Sequence, residues 1–321
     1  MTYKIAILQP IGEEQAGIIN GLLPEGWRIS AVTGRTEDDL KAEVADADFA
    51  LWWDVPVTAG IVAAAPRLKL FHKWGVGIDN IDIEACRARG IRIARTTGSN
   101  AVPVAEYAVG LMLALGRRIV QAHIATAAGG WPKNEVWRHS IMISGKTVGI
   151  IGLGAIGKAL AKRLRGFDCT ILYHNRNRLG AAEEAALGVQ YRALDALLAE
   201  SGVVSLNCPL TAETKGMVDA RALGLMKRGA LLVNVARGGV VVEADLVAAL
   251  NSGHLAGAAV DVFDQEPPPK DHPLLHMANV IVTPHTASTA YENSRRSIAH
   301  WLGNMQRVAK GEEIPPQDVV L

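Results

Sequence analysis

The sequence is poor in cysteine, carries almost no excess of charge and contains no long uninterrupted apolar run. Cys86, Cys169 and Cys208 are odd in number and lack the spacing of metal ligands, which argues against a disulfide framework or a zinc site and favours a reducing, cytoplasmic location. A formal net charge of +1, with Lys and Arg spread along the chain, provides no electrostatic basis for binding nucleic acid or a membrane. We therefore expect a small-molecule partner.

The apolar content points to an ordinary globular protein. With 321 residues, of which 49% are apolar, the chain is long enough for two domains of usual size. Its first residues, MTYKIAILQP, enter a strand-like run without the longer apolar region of a signal peptide, and no stretch is long enough to span a bilayer. The histidines share no metal-ligand spacing, so we expect no bound metal.

Two series of alternating strand-like and helix-like segments follow each other along the chain. The first series contains five short apolar runs bounded by Gly, Pro or Asp: YKIAILQ, RISAVTG, DFALWWD, LKLFHKWG and IRIAR. The second contains six: KTVGIIGLG, CTILYHN, VVSLNCPL, ALLVNVAR, GAAVDVF and VIVTPH. A helix-like tail from about Ser288 to Lys310 follows. This rhythm predicts two doubly wound, parallel-sheet α/β domains, with the tail packing back on the first.

A glycine-rich turn lies at the start of the second series. Gly152, Gly154 and Gly157 form G-x-G-x-x-G between a strand-like run and the helix-like AIGKALAKRLRGF. Such a turn lets the backbone approach a pyrophosphate closely while the helix N-terminus faces the anion. The motif alone also fits an ordinary glycine-rich turn, but this context favours a dinucleotide site. The predicted contacts are Gly152, Leu153, Gly154, Ala155, Ile156 and Gly157.

The segment YHNRNR, residues 173–178, stands where a ribose-binding acid is expected. His174 lies about 20 residues beyond the first glycine, at the usual position of an Asp or Glu. A carboxylate there repels a 2′-phosphate, whereas Arg pairs with it bidentately. We expect Arg176, with Arg178 as a second candidate, to favour NADP(H), and Asn175 to donate a further hydrogen bond; NAD(H) remains possible. The alternative is a solvated basic turn.

Three stretches place a polar side chain directly after a strand-like run. NVARGG places Arg237 there, DVFDQEPP places Glu266, and VTPHTAS places His285. Because the carboxyl ends of parallel strands converge on one crevice, these side chains are expected to meet beside a nicotinamide. Each has a plain alternative, namely a loop anchor, a surface carboxylate and a helix cap. The hypothesis rests on the combination.

The chain resembles the D-isomer-specific 2-hydroxyacid dehydrogenase family over nearly its whole length. The motifs that carry the resemblance are KWGVGIDNID, NAVPVAEYAVGLMLALGRR, GIIGLGAIG, NCPLTAETKGM, LLVNVARGGVVVEADLVAAL, AVDVFDQEP and VTPHTA. It implies a Rossmann cofactor domain, residues 101–287, inserted into a flavodoxin-like substrate domain, residues 1–100 plus 288–321. The basic HNRNR segment is similar to that of NADP-using glyoxylate and hydroxypyruvate reductases.

The resemblance also implies roles for individual residues. The family's catalytic triad falls on Arg237, Glu266 and His285. In the reduction of a 2-keto acid, His285 would donate the proton, Glu266 would orient the ring and favour its charged form, and Arg237 would bind the substrate carboxylate. The other implied contacts are the backbone of Val76 and Gly77 for the substrate, and Cys208, Pro209, Thr214, Val235, Ala236 and Asp261 for the nicotinamide, Asp261 through the carboxamide.

Several alternatives stay open at this stage. One is an NAD-dependent D-2-hydroxyacid or phosphoglycerate dehydrogenase, and another is a cofactor-sensing protein similar to a corepressor. A formate dehydrogenase would have Gln where Glu266 stands. We expect a homodimer in which Trp137 is a candidate to reach the partner's site. Trp52, Trp53 and Trp74 either line the substrate pocket or belong to the core.

Overall fold

The computed structural model describes residues 2–321, which divide into two compact units. The first unit contains the chain up to Asn100 together with Ala290–Leu321, and the second contains Ala101–Thr289. Each unit is built on one sheet in which all paired strands run parallel. The predicted fold class, two parallel-sheet α/β domains, is confirmed.

The first sheet has five strands in the order β2-β1-β3-β4-β5. Every residue of β1, β3 and β4 is buried, as expected for strands covered on both faces, and this burial explains their continuous apolar sequences. The strands are β1 (Tyr3–Ile7), β2 (Trp27–Ala31), β3 (Phe49–Trp52), β4 (Leu70–Lys73) and β5 (Arg92–Arg95).

Short helices connect these strands, and polar side chains cap three of them. Thr36, Thr58 and Asp82 each accept a hydrogen bond from a backbone N–H of the first turn, which satisfies a donor that the helix itself cannot pair. The caps therefore set where these helices begin. The helices are α1 (Glu13–Asn20), α2 (Glu37–Val44), α3 (Ala59–Ala63) and α4 (Ile83–Ala88).

The second sheet has seven strands in the order β12-β11-β10-β9-β6-β7-β8. The sequence predicted six of them and missed β8, because this three-residue edge strand has an exposed Gln190 at its centre and no apolar run. The strands are β6 (Thr147–Ile151), β7 (Thr170–His174), β8 (Val189–Tyr191), β9 (Val203–Leu206), β10 (Ala230–Asn234), β11 (Leu255–Val260) and β12 (Val280–Val282).

Eight helices belong to the second unit. They are α5 (Ala101–Gly116), α6 (Ile119–Ala127), α7 (Lys133–His139), α8 (Ala155–Leu164), α9 (Ala181–Leu187), α10 (Leu194–Glu200), α11 (Ala220–Leu225) and α12 (Glu243–Asn251). The apolar α5 packs on α8 and on the sheet. In contrast, α6 and α7 contain no buried residue. Among residues 2–321, no helix combines the length and apolar character needed to cross a membrane.

The last helix, α13 (Tyr291–Lys310), belongs to the first unit. Trp301 and Met305 of this helix are fully buried in the core that also contains β1, β3 and β4 residues. The tail after α13 forms a bridge between Ala94 and Val319. The buried carboxylate of Asp318 accepts hydrogen bonds from Thr97 and Asn304. These contacts join the last thirty or so residues to the first sheet.

Candidate active site

The glycine-rich turn joins β6 to α8, and neighbouring backbone enforces two of its glycines. Gly152 has a φ of +95°, and a Cβ added there would lie 2.5 Å from the backbone nitrogen of Cys208. A Cβ at Gly157 would lie 2.2 Å from the carbonyl oxygen of Gly152. At Gly154, the N-cap of α8, no atom lies within 4 Å of such a Cβ. The turn thus leaves open space before the helix N-terminus, as a bound pyrophosphate requires.

The residues after β7 hold this turn in place. The side-chain oxygen of Asn175 accepts a 2.6 Å hydrogen bond from the N–H of Leu153, and the N–H of Gly152 donates to the carbonyl of His174 at 2.9 Å. The His174 ring forms a 3.0 Å hydrogen bond with the carbonyl of Arg192. Asn175 therefore uses its acceptor to brace the turn and keeps its amide hydrogens for another partner.

The two arginines of the segment differ in their surroundings. Arg176 is exposed; the Thr211 hydroxyl chiefly lowers the pKa of Glu213, and the charge of Arg176 contributes to that decrease. Arg178 instead forms a bidentate ion pair with Glu184, at 2.8 and 2.9 Å, and lies over the Tyr191 ring. The Arg178 guanidinium, with help from the Tyr173 hydroxyl, lowers the pKa of Glu184 to about 2. The expectation that Arg178 is a second phosphate ligand is therefore corrected, because its fork already pairs with a carboxylate.

The loop after β9 lies beside the glycine-rich turn and presents mainly backbone atoms to it. The Cys208 side chain is buried, and burial raises the pKa of its thiol to about 11, so the thiol is neutral at physiological pH. The Thr214 hydroxyl donates to the carbonyl of Pro209 at 2.6 Å and accepts from the N–H of Thr211. These contacts close the loop on itself and shape the wall beside the glycine-rich turn.

A residue that the sequence analysis did not single out shapes the loop after β10. The buried side chain of Asn234 accepts a hydrogen bond from the N–H of Ala236 and donates to the carbonyl of Arg237, both at 3.0 Å. Val235, between them, is buried. The signal was visible in principle, since Asn at a strand end often bonds to nearby backbone.

The structure brings Glu266 and His285 into direct contact. His285 Nδ1 lies 2.7 Å from Glu266 Oε2, and the other oxygen of Glu266 accepts from the N–H of Phe263 at 3.0 Å. His285 Nε2 forms no hydrogen bond within residues 2–321. A carboxylate on Nδ1 fixes the imidazole orientation and leaves Nε2 to exchange a proton with a bound molecule.

The charges of the three predicted catalytic residues influence one another. The hydrogen bond to Glu266 raises the pKa of His285, while burial and the positive charge of Arg237 oppose this increase. Burial favours the neutral form of Glu266 and is the largest single influence, but the contacts with His285 and the Phe263 N–H together with the charge of Arg237 outweigh it, so the pKa of Glu266 lies below its ordinary value. Arg237, Glu266 and His285 therefore form one electrostatic cluster.

Asp261 anchors the loop that carries His285. Its carboxylate is 1% exposed and accepts hydrogen bonds from Thr283, Thr286 and Ala287 at 2.6 to 3.0 Å. Its backbone carbonyl accepts from the N–H of His285 at 2.8 Å. The predicted bond to a carboxamide stays a prediction: Oδ2 accepts one hydrogen bond, from Ala287, and a carboxylate oxygen has a second lone pair for another donor. The contacts of Asp261 hold His285 at φ +53°, a conformation that side chains other than glycine rarely adopt.

The loops that carry Arg237 and Glu266 touch through their backbones. A Cβ added at Gly238 would lie 1.9 Å from the carbonyl carbon of Phe263 and 2.2 Å from the nitrogen of Asp264. Only glycine permits this approach. The backbone after Arg237 and the backbone just before Glu266 are therefore set against each other.

In the first unit, Val76 and Gly77 lie in the loop after β4. Their N–H groups donate to no acceptor within residues 2–321, so they are available to an anion. The buried Lys73 ammonium and Asn80 brace this loop: Lys73 donates to Asn80 Oδ1 at 2.8 Å, and Asn80 donates to the carbonyl of Val55. No sequence pattern indicated this bracing pair.

The tryptophans take different places. Trp52 is fully buried and donates to Asn80 at 3.0 Å, so it belongs to the core and not to a pocket wall. Trp53 and Trp74 make an edge-to-face contact, and Trp74 also lies against Trp301. Trp137, on α7, is 77% exposed.

Known proteins share this architecture. Residues 109–287 match the family model for the D-isomer specific 2-hydroxyacid dehydrogenase, NAD binding domain. The chain is 43% identical over 262 residues to a glyoxylate reductase of Thermofilum pendens, which covers 81% of this chain and 77% of the relative. It is 34% identical over 315 residues to a chloroplastic/mitochondrial formate dehydrogenase of Arabidopsis thaliana, covering 96% and 82%. The solved structure of an NAD-dependent formate dehydrogenase from Staphylococcus aureus in complex with NAD is similar with a TM-score of 0.88 and 30% identity, over 99% of both chains.

Two alanine substitutions in the glycine-rich turn test whether its open side receives the dinucleotide. Gly152→Ala is expected to lower the free energy of unfolding by at least about 2 kcal/mol, because of the backbone clash and the positive φ. Gly154→Ala is expected to leave stability within about 1 kcal/mol and to weaken NAD(P)H binding, because the new methyl group enters the open space. Urea unfolding and cofactor fluorescence titration measure the two effects. Unchanged cofactor affinity in Gly154→Ala would place the pyrophosphate elsewhere.

Proposed function

The chain belongs to the D-isomer specific 2-hydroxyacid dehydrogenase family, and from this premise we propose that it reduces a short 2-keto acid, such as glyoxylate or hydroxypyruvate, with NADPH to the 2-hydroxy acid, which is the D-isomer where the product is chiral. The family makes it an NAD(P)-dependent oxidoreductase. The observation that carries the proposal is the 2.7 Å contact between His285 and Glu266. Similarity to a glyoxylate reductase supports the choice of substrate class.

Three residues of the second unit have different proposed roles in the reduction. A bound nicotinamide supplies the hydride. His285 would donate its Nε2 proton to the substrate oxygen as negative charge develops there, and Glu266 would keep the imidazole oriented and charged. Arg237 would pair with the substrate carboxylate through its planar fork. In the first unit, the N–H groups of Val76 and Gly77, which donate to no acceptor among residues 2–321, are candidate donors to an anion.

The preference for NADPH rests on the segment after β7. Position 174 holds His in place of the usual acid, so no carboxylate there would repel a 2′-phosphate. Arg176 is exposed, and its charge reaches the exposed carboxylate Glu213 only as a minor influence, so its guanidinium is a candidate partner for a phosphate. The amide hydrogens of Asn175 offer a further donor.

Formate oxidation is the second candidate, because the chain is also similar to formate dehydrogenases. Removing a hydride from formate yields carbon dioxide and requires no proton donor or acceptor. Reduction of a keto acid does require a proton donor, and Glu266 raises the pKa of His285 in the direction that such a donor needs. The carboxylate at position 266 therefore favours keto acid reduction.

A substrate and cofactor panel tests the proposed reaction. Glyoxylate, hydroxypyruvate, 3-phosphohydroxypyruvate and formate are assayed with each cofactor form by nicotinamide absorbance. We expect turnover of the short keto acids and a higher kcat/KM with NADPH than with NADH. Arg176→Ala should lose roughly 10- to 100-fold in kcat/KM with NADPH and little with NADH, because a charge-assisted phosphate pair is worth about 1.5–3 kcal/mol.

Arg178→Ala is the matched control, since Arg178 pairs with Glu184. Equal efficiencies with both cofactors, or an unchanged preference in Arg176→Ala, would refute the NADPH assignment. Formate oxidation without keto acid reduction would replace the proposed reaction, and binding of NAD(H) without turnover would favour the cofactor-sensing alternative.

The pH dependence of reduction follows from the raised pKa of His285. The imidazolium persists above the ordinary value near 6.5, so kcat/KM should fall only as pH rises through the higher pKa. Glu266→Gln removes the negative partner, and the alkaline limb should then move to lower pH with a loss of rate at neutral pH. Rate profiles from pH 5 to 10 measure the shift. If the alkaline limb of Glu266→Gln lay at the same pH as that of the native protein, the roles assigned to His285 and Glu266 would be contradicted.

We also propose that the protein is a homodimer that covers the surface of α6 and α7. Neither helix contains a buried residue, and the segment exposes large apolar side chains: Ile119, Val120, Ile124, Trp131, Trp137 and Met142. Several large exposed apolar side chains within one segment of about 25 residues are typical of an interaction surface. On α7, Glu135 contacts the His139 ring at 3.1 Å, which leaves the apolar side chains as the larger part of the surface, so a second copy of the same surface is a suitable occupant.

Light scattering tests this assembly. The native protein should have twice the mass of one chain, and Ile124→Glu should shift it toward the monomer because a charge would be buried at the interface. Tyr291→Glu, at an exposed apolar position of the first unit, should remain dimeric. A mass equal to that of one chain would refute the proposed dimer. It would also exclude a role of Trp137 in a partner's site.

A further inference from the structure

The loop that carries Glu266 has no regular backbone structure of its own. It extends from Phe263 to His272, between β11 and the short 3-10 turn Pro273–His276. Its residues belong to neither strand nor helix, so no ladder of backbone hydrogen bonds determines its shape. Side-chain contacts must therefore hold Glu266 where it meets His285.

One side chain outside the loop holds both of its ends. Glu243, in the first turn of α12, accepts a 3.0 Å hydrogen bond on Oε1 from the N–H of Asp264. Its other oxygen lies 3.0 Å from Nε2 of His272. The two side chains are only 22% and 14% exposed, so water competes weakly for these contacts. The Glu243–His272 pair ties the start and the end of the loop to a helix.

The same contacts continue toward the reacting groups. The N–H of Phe263, next to Asp264, donates to Glu266 Oε1 at 3.0 Å. The Phe263 ring packs edge-to-face on His272, with centroids 5.5 Å apart. Glu266 is thus held on one oxygen by a peptide that the Glu243–His272 pair fixes, and on the other by His285.

The Arg237 loop depends on the same peptide. The backbone of Gly238 lies against Phe263 and Asp264 so closely that a Cβ would overlap them. A shift of this peptide would therefore move the backbone next to Arg237 as well as the partner of Glu266. None of the mechanistic steps above uses Glu243 or His272.

We propose that Glu243 and His272 are positioning residues that hold the Glu266 loop, and that through it they maintain the charge state of His285. The inference rests on the proposed catalytic roles of Glu266 and His285. The charged groups acting on the His285 ring are Glu266, Arg237 and Asp261, and Glu243 is the acidic side chain that contacts His272. Glu243 acts on His285 only through the loop, since its own oxygens bond to Asp264 and His272.

The test compares two carboxylates of the same helix. Glu243→Ala removes the proposed support. Asp245→Ala is the matched control, because Asp245 also lies in the first turn of α12 and accepts a backbone N–H at 2.8 Å, but from Ala220 and not from the Glu266 loop. Glu243→Gln keeps an oxygen for the N–H of Asp264. NMR titration of histidine-labelled protein without cofactor measures the pKa of His285, and the His285→Ala variant identifies its signal. The pH profile of keto acid reduction measures the effect on activity.

We expect the His285 pKa to fall in Glu243→Ala and kcat to drop about 10- to 100-fold, as displacement of a catalytic group by about 1 Å produces. Glu243→Gln should recover most of both quantities, and Asp245→Ala should change neither even if its melting temperature falls equally. An unchanged His285 pKa in Glu243→Ala, or the same decrease in Asp245→Ala, overturns the proposal.

Two further outcomes are informative. Should Glu243→Ala fail to fold, His272→Ala removes one end of the support and must shift the His285 titration in the same direction for the proposal to stand. Should the His285 pKa respond as expected in a protein that reduces no keto acid, the positioning role holds and the proposed function fails.

Discussion

The hydrogen bond between His285 and Glu266 is the interaction on which the candidate site depends. At 2.7 Å it joins two loops that follow different strands, β11 and β12, and it decides which imidazole nitrogen faces a ligand. Neither loop has regular structure, so the bond persists only because other groups hold both backbones. The buried carboxylate of Asp261 accepts hydrogen bonds from the backbone of the His285 loop. Glu243, on α12, accepts one from the backbone of the Glu266 loop.

Close backbone contact adds a second constraint. Gly152, Gly157 and Gly238 stand where a single methyl group would overlap neighbouring main chain, whereas Gly154 faces open space. The first three serve the packing of the fold and the fourth serves the molecule that binds there. Glycines are thus required for two different reasons, close backbone packing and space for a ligand. Only the surroundings of each glycine show which reason applies.

The sequence supported predictions where a local pattern has a local cause. Eleven of the strands correspond to short apolar runs, since strands covered on both faces need such residues throughout, and the cofactor turn follows from glycine spacing. The predictions failed where the structure depends on residues elsewhere in the chain. β8 is stabilised by pairing with β7 and has no apolar run of its own. Arg178 looked like a phosphate ligand until Glu184, six residues away on α9, was seen to occupy its guanidinium.

By itself, the sequence determined the α/β class, the glycine-rich turn and the polar residues at the strand ends, because each depends on neighbours along the chain. Tertiary structure alone decided the partners: which oxygen meets His285, that Asp261 holds the His285 loop, and that Trp52 belongs to the core. Hydrogen bonds and charge pairs between residues far apart in sequence act over a few ångströms of space, and folding sets that distance.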